Sequence, residues 1–177
     1  MALDLDGWLP NPIVRTSHRR EAAVDGKRLW AAAKGVRLRD TPRLARVVRW
    51  RLPGTRPDMT FLDLFGRYPF VVLDAGEGWS ISGLCGRVWT FARDYPRIRG
   101  ADDFRAWREP GTVRVVFAHW VQDDGDGRSA LVSESRIEPV DRRAALRTRA
   151  LWAVVGRFDR LVGGEALEAA ARRAQGG

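Results

Sequence analysis

The sequence predicts an α+β fold, and three observations support this prediction. Two β-rich runs, at residues 112–122 and 128–137, flank the Asp- and Gly-rich segment 123–127, which is the pattern of an antiparallel hairpin. A long segment at 142–162 with apolar residues at helical spacing follows that hairpin directly. The strand patterns are grouped rather than alternating with helices, which favours an antiparallel sheet with helices packed on it over a parallel sheet.

The N-terminal third predicts one strand followed by two short helices. Residues 13–24 alternate, with Val14, Thr16 and His18 on one face, as in a half-buried strand. Asp25 is suited to cap a helix over residues 26–34. A second helix is expected to start at Asp40 or Thr41, with Pro42 in its first turn, and to run to about residue 51.

The middle of the chain is rich in short β-like runs. Strands are predicted at residues 60–64, 68–75 and 79–84, with residues 87–90 and 104–107 as further short candidates. Together with the first strand and the hairpin, they predict a curved antiparallel sheet of about six or seven strands.

The C-terminal region predicts one long helix and a short tail. Asp141 is suited to cap residues 142–162. A single apolar stripe is expected to face the sheet and to consist of Leu146, Ala150, Ala153, Val154, Phe158 and Leu161. Gly163 and Gly164 end the helix, and residues 165–174 form a polar-faced helical tail that is expected to fray. The predicted organisation is an arm at 1–12, one domain at 13–162 and the tail at 163–177.

Composition limits the class of protein. With 177 residues and 45% hydrophobic content, the chain can bury a full core. No stretch approaches the roughly 20 apolar residues of a membrane span, and the acidic start lacks the pattern of a secretory signal. The single cysteine, Cys85, excludes an intrachain disulfide. The simplest interpretation is a cytoplasmic protein.

The net charge of +9 raises the question of nucleic-acid binding. The bias of 29 Arg to 2 Lys (Lys27 and Lys34) is typical of a GC-rich genome, and neither zinc-finger spacing nor an RNA-recognition signature is present. Nucleic acid is therefore not an expected partner. The segment Arg37–Arg56, with Trp50, is locally rich in arginine. It is interpreted either as a solvated basic face or as a surface for transient contact with anionic lipid headgroups.

Three sequence segments resemble bacterial members of the SRPBCC, or helix-grip, superfamily. These are Gly86-Arg87-x-Trp89, the segment from Phe104 to Gly111, and Ser133-Glu-Ser-Arg-Ile137 ahead of Asp141. The superfamily includes START lipid-transfer domains, birch-pollen-allergen-like proteins and polyketide cyclase-like proteins. The resemblance covers roughly residues 10–162. It implies a helix-grip fold with an apolar cavity between the sheet and the C-terminal helix that takes a hydrophobic small molecule.

The hairpin defines which side chains face that cavity. If Gln122 lies opposite Arg128, Val115 pairs with Ser135 and Phe117 with Ser133 on the more apolar face, which we assign inward. Arg114, Glu134 and Arg136 then lie on the outside, in a structural role, and Arg114 is expected to interact diagonally with Glu134. The expected ligand-binding residues are His18, Asp63, Trp79, Trp89, Trp107, Val115, Phe117, His119, Ser133, Ser135, Val154 and Phe158.

Four titratable residues are candidates for a role in the cavity. Three of them have two interpretations each. His18 and His119 lie on inward faces, where each is either a general base or ligand donor, or a buried histidine bonded to its surroundings. Asp63 lies between Phe61 and Phe65, where it is either a buried acid with a raised pKa or a solvated strand end. The catalytic candidates are His119, Asp63 and Tyr95. The aromatic residues among the expected cavity lining can equally be ordinary core.

Several catalytic motifs are excluded. Residues 78–82 (GWSIS) lack the final glycine of a nucleophile elbow. The glycines form no dinucleotide or P-loop fingerprint, and two distant histidines with one cysteine have no metal-ligand spacing. No metal and no cofactor are expected. The favoured function is carriage, sensing or sequestration of a hydrophobic small molecule. The alternative is a polyketide cyclase- or dehydratase-like enzyme that uses the same cavity.

Overall fold

The computed structural model describes residues 3–52, 54–90, 95–162 and 164–176, apart from the side chains of Arg51 and of residues 157–162. Within these ranges the chain forms one five-stranded antiparallel sheet, so the α+β prediction is confirmed. The strands are β1 (Val14–Ala22), β2 (Val71–Gly76), β3 (Trp79–Gly86), β4 (Val113–Gly125) and β5 (Arg128–Pro139). Their spatial order is β1-β5-β4-β3-β2, so the first strand pairs with the last one and lies at one edge of the sheet.

Six helices accompany the sheet in the described part of the chain. They are α1 (Gly26–Gly35), α2 (Pro42–Arg51), α3 (Phe61–Phe65), α4 (Ala101–Ala106), α5 (Arg142–Val162) and α6 (Glu165–Gln175), with a 3-10 turn at Leu38–Asp40. Asp25 and Asp141 cap α1 and α5 as predicted, because their carboxylates accept from the amides of Arg28 and Ala144, each at 2.8 Å. No described helix combines the length and the apolar composition that a bilayer crossing requires.

The prediction of six or seven strands is wrong, since three of the candidate segments form no strand. Residues 61–65 form α3, whose first turn is capped by Thr60 through a 3.1 Å bond from the amide of Asp63. Residues 101–106 form α4, with Asp102 and Asp103 in the first turn, where carboxylates favour helix initiation. Residues 87–90 form a turn after β3.

The β4–β5 hairpin is confirmed, but its register differs by two residues from the predicted one. Val115 lies opposite Ile137 rather than Ser135. The chain turns at Asp126 and Gly127, both with positive φ (51° and 70°), and β4 extends beyond the predicted strand end with a bulge. Because the shift is an even number of residues, every side chain keeps its predicted face.

The face of the sheet that was expected to be outside is covered. The N-terminal arm and α4 bury Leu5, Leu9 and Phe104 against Val116 and Ala118 of β4. The prediction of an exposed face is therefore wrong, because the arm forms a second core rather than a free extension.

The charged residues of this face are paired differently from the prediction. Arg136 is 7% exposed and donates to Glu134 and to Asp6 of the arm. Arg114 forms a partly buried ion pair with Glu138, and not with Glu134. The Arg136 guanidinium, with that of Arg15, lowers the pKa of Asp6.

The two C-terminal helices pack in the opposite way to the prediction. In α5, Leu146, Ala150, Ala153 and Val154 of the predicted inward stripe are exposed, whereas Ala144 and Thr148 are fully buried. In α6, the predicted fraying tail, six residues are buried against α1 and β1: Ala166, Leu167, Ala169, Ala170, Ala171 and Ala174. α6 therefore belongs to the core.

Candidate functional site

The candidate site lies on the inner face of the sheet, defined as the face that α1, α3, α5 and α6 cover. In an antiparallel sheet, residues directly opposite each other point to the same face. Two adjacent rows of such residues cross the middle of the inner face. One row contains His18, Ser133, His119 and Ser80, and the other contains Thr16, Ser135, Phe117 and Ser82. We call these eight residues the polar floor, because seven of them carry a polar side chain.

The polar floor is hydrogen-bonded within itself at the β1 edge. The hydroxyls of Thr16 and Ser135 lie 2.7 Å apart, and either can be the donor. A hydroxyl pair of this kind holds both side chains in place and leaves lone pairs free to accept from a bound molecule. The β1–β5 edge therefore presents ordered polar groups.

Solvent reaches part of the polar floor although helices cover the inner face, while His119 and Ser82 are buried. Thr16, His18, Phe117, Ser133 and Ser135 are all half-buried. The adjacent row, in contrast, is apolar and sealed, with every member at most 7% exposed: Val14, Ile137, Val115 and Leu84. These five side chains are therefore more accessible to solvent than the row beside them.

His119 is the most unusual member of the polar floor. It is 4% exposed, and its ring lies 5.0 Å from that of Phe61 and 4.8 Å from that of Phe65, between centroids. Neither ring nitrogen has a hydrogen-bond partner among the described residues. Burial lowers the pKa of His119 to about 3, because an apolar environment disfavours the charged imidazolium. The ring is therefore neutral at physiological pH and offers one donor and one acceptor.

Two further buried polar groups near the floor have no partner among the described residues. They are the hydroxyl of Thr148 on α5 and the indole N–H of Trp89. Trp89 packs in the same cluster as Phe117, and Thr148 lies one helical turn from Ala144 and from Trp152, which belong to that cluster. Buried polar groups are nearly always hydrogen-bonded in folded proteins. Three exceptions around one aromatic region suit an apolar ligand with a few polar atoms.

Most of the predicted site residues are brought together on the inner face. His18, Phe117, His119, Ser133 and Ser135 belong to the polar floor. Val115 lies in the sealed apolar row, and Trp89 lies in the cluster beside Phe117. Tyr95 joins the same cluster and also lines a surface pocket with Gly86, Thr90 and Glu109.

Two predicted tryptophans lie on the opposite face. Trp79 lies directly opposite Trp120 and packs in the core beneath the N-terminal arm. Trp107 joins that core, and its indole N–H donates to the Thr112 hydroxyl at 2.9 Å. The expectation that they face the cavity is wrong, because the aromatic content of a segment does not define which face it occupies.

Asp63 is also misplaced by the prediction, for a geometric reason. In a strand, residues 61, 63 and 65 would share one face, whereas in a helix residues four apart share a face and the residue between them points away. In α3 the rings of Phe61 and Phe65 contact each other at 5.1 Å, and Asp63 is exposed. It is therefore the solvated acid of the two interpretations.

The two predicted ligand-binding residues on α5 have different outcomes. Val154 is 68% exposed, so its expected inward orientation is wrong. The side chain of Phe158 lies outside the described residues.

Sequence reasoning did not single out Ser80, Ser82 and Thr148. The two serines belong to the polar floor only because β3 pairs with β4 in a particular register. A strand pattern of small polar residues signals no site by itself. Thr148 shares a helix with four exposed apolar residues, so the apolar pattern of that helix predicts the wrong face as the buried one.

No protein-family model matches the sequence, and no curated protein matches it significantly. Solved structures with a similar arrangement include a hypothetical protein from Helicobacter pylori, with 11% identity, TM-score 0.45, and coverage of 96% of this chain and 94% of that chain. The Zhui aromatase/cyclase from Streptomyces sp. R1128 shows 15% identity and TM-score 0.36, with coverage of 92% and 96%. A protein from Rhizobium loti shows 15% identity and TM-score 0.37, with coverage of 90% and 96%. Scores in this range establish neither a common family nor a common function.

Proposed function

We propose that this chain is a helix-grip protein that binds a hydrophobic, ring-containing small molecule over the polar floor, as a carrier, sensor or sequestering protein. The observation that supports this proposal most is His119, a neutral, buried imidazole with neither nitrogen bonded among the described residues. An unbonded buried polar group costs about 1–3 kcal/mol. A ligand hydroxyl or carbonyl that bonds His119 recovers this cost, so the site favours ligands with such a group.

The surroundings of His119 support an aromatic ligand. Phe61, Phe65, Phe70 and Phe117 form a chain of ring contacts with centroids 5.1 to 5.6 Å apart. A flat apolar ring can stack on or against such rings. The hydroxyls of Ser133 and Ser135 on the floor then supply a second polar contact for a ligand with two oxygen atoms.

A pair of probes tests the role of His119. 1-Naphthol has an apolar ring system and one hydroxyl, and naphthalene lacks the hydroxyl. We expect the protein to bind 1-naphthol about tenfold more tightly than naphthalene, because one hydrogen bond to an unbonded buried group contributes about 1.4 kcal/mol. Isothermal titration calorimetry with the two probes measures the ratio.

Two variants distinguish the site from the rest of the core. His119→Phe is expected to bring the 1-naphthol to naphthalene ratio within about twofold, while naphthalene still binds. Trp120→Phe is the matched control, because the Trp120 indole N–H is also buried without a partner among the described residues but lies on the outer face of the same strand. If the ratio survives in His119→Phe, or if neither probe binds to the wild-type protein, the proposal is wrong.

The enzymatic alternative requires a group that moves protons. His119, with a pKa of about 3, is a weak base at neutral pH. Asp63 is exposed on the far side of α3 and does not face the floor. The cyclase-like alternative would therefore use shape and water exclusion, with His119 as a hydrogen-bond donor. Unchanged conversion of a linear polyketide-like substrate by His119→Phe would exclude this role of His119.

A further inference from the structure

The whole net charge of the protein lies on two helices. α2 contains four arginines and no acidic residue, and α5 contains six arginines and one aspartate. Ten basic residues against one acidic residue leave these helices at +9, which equals the net charge of the full chain. Subtracting them from the 31 basic and 22 acidic residues of the chain leaves 21 of each sign, so the remainder is neutral. The excess of basic over acidic residues in the sequence is thus equal to the excess within α2 and α5.

The same two helices carry most of the exposed large apolar side chains. Among the described residues six large hydrophobic side chains are exposed, and four of them lie on α2 or α5. These four are Val47 (44% exposed), Trp50 (57%), Leu146 (59%) and Val154 (68%). The two helices contact each other in the fold. Exposed apolar side chains among arginines are typical of helices that lie in a membrane interface.

A basic pocket adjoins the exposed side of α2. It has a volume of about 290 Å³, and four arginines line it: Arg39, Arg46, Arg49 and Arg56. Arg56 is paired with Asp58 at 2.8 Å, and Arg39 lies 4.0 Å from Asp40. Arg46 and Arg49 have no carboxylate partner among the described residues. The pocket therefore keeps an excess of positive charge for a phosphate group.

We propose that α2 and α5 dock the protein on an anionic phospholipid membrane. The arginines contact the lipid phosphates, and Val47, Trp50, Leu146 and Val154 enter the headgroup region. Nucleic acid would satisfy the arginines but would leave Leu146 and Val154 without apolar contacts. A second copy of the chain would bring +9 against +9, which like-charge repulsion opposes. Membrane docking accounts for both the charge and the apolar side chains.

Vesicle sedimentation tests the docking directly. We expect the wild-type protein to bind vesicles of phosphatidylcholine with about 30% phosphatidylglycerol at least about tenfold more strongly than vesicles of phosphatidylcholine alone. Binding to the anionic vesicles is expected to weaken severalfold at about 0.5 M salt, because salt screens the headgroup charge. Equal binding to both vesicle types, or no binding to either, overturns the proposal.

Charge reversal tests the location. Arg46→Glu with Arg149→Glu changes one exposed arginine on each helix and is expected to reduce binding to anionic vesicles at least about tenfold. Arg67→Glu with Arg87→Glu is the matched control, since both residues are exposed, lie outside the two helices, and give the same change in net charge. The control is expected to bind within about twofold of the wild type. An equal loss in both pairs would mean that net charge alone drives binding, and this outcome overturns the assignment to α2 and α5.

A fluorescent label tests insertion. Cys85 is 1% exposed, and burial raises its pKa to about 12, so it is protected from thiol reagents in the folded protein. A Val154→Cys variant labelled with an environment-sensitive dye is expected to show a blue shift when anionic vesicles are added. A Glu77→Cys label on the β2–β3 turn, where the native side chain is 84% exposed, is expected to show none. A shift at both positions, or a shift at position 154 that depends on protein concentration without vesicles, overturns membrane docking, the latter in favour of a second copy.

Discussion

The two C-terminal helices differ in how they meet the rest of the protein, although they are adjacent in sequence. α6 packs an alanine-rich face against α1 and β1 and buries Leu167 completely. α5 buries Ala144 and Thr148 but exposes Leu146 and Val154. The small side chain of alanine allows close approach between helices, so α6 packs tightly although Leu167 is its one large apolar residue. The helix with more large apolar side chains, α5, is therefore not the helix that is more deeply buried.

The regions that the two helices cover also differ. The α6 end of the inner face is filled by apolar side chains, among them Leu29, Ala32 and Leu131. Towards α5 and α3 the inner face holds the polar floor and the unpartnered groups of His119 and Thr148. The closed end stabilises the fold, whereas the other end keeps groups that cost stability in the absence of a ligand. This difference leads to the following predictions.

The largest effect is expected from a matched pair of leucine truncations. Leu167→Ala in α6 should lower the free energy of unfolding by about 2–5 kcal/mol, because it removes a fully buried side chain and leaves a cavity. Leu146→Ala in α5 should change it by less than about 0.5 kcal/mol, because that side chain is 59% exposed. Equilibrium urea denaturation measures both. Similar losses in the two variants would refute the contrast between the helices.

A smaller change in the free energy of unfolding is expected from the protonation of His119. Its folded-state pKa of about 3 lies below the ordinary value of 6.5, so below pH 6.5 the unfolded chain takes up a proton that the folded protein does not. Its contribution to stability is therefore fully present above pH 6.5 and is lost as the pH falls toward 3. The loss between pH 7 and pH 5 should be about 2 kcal/mol.

The matched variant for this pH effect is His119→Phe, which keeps an aromatic ring and removes the titrating group. Urea denaturation at pH 7 and pH 5 should show that the variant loses about 2 kcal/mol less than the wild type over this interval. Parallel pH dependence in the two proteins would mean that His119 is not buried in a neutral form.

The smallest effect is expected for Thr148→Val. Valine has the shape of threonine without the hydroxyl, and the hydroxyl of Thr148 is buried with no partner among the described residues. The substitution should raise the free energy of unfolding by about 1 kcal/mol, because it removes an unbonded polar group. Thermal and urea denaturation check the sign. A loss of stability would show that the hydroxyl is bonded in the ligand-free protein. The polar groups of the inner face towards α5 and α3 would then have more hydrogen-bond partners than proposed.

Local signals in the sequence predicted much of the fold. The Asp–Gly turn predicted the hairpin, and Asp25 and Asp141 predicted two helix starts, since each signal acts within a few residues. The predicted strand at 60–64 failed because Phe61 and Phe65, four residues apart, fit both a strand face and a helix face. The Thr60 cap and the packing of the two rings against His119 and Phe117 favour the helix.

Part of the candidate site was also predictable from local sequence patterns. Alternation along β1, β4 and β5 placed His18, Phe117 and His119 on one face, and an error of two residues in register left that result intact. Trp79 and Val154 failed because their environment depends on the N-terminal arm in one case and on the orientation of α5 in the other. Neither contact is local in sequence.

The amino-acid sequence by itself determined the α+β class, the hairpin, the span of α5 and the inward face of three strands. These depend on turn chemistry, capping and alternation, which act over a few residues. Only the tertiary structure decided which side of α5 is buried, that α6 belongs to the core, that the arm covers the outer face, and that the two arginine-rich helices contact each other. These features depend on which surfaces pack against each other. That packing is determined by side-chain volumes and by contacts between residues far apart in the sequence.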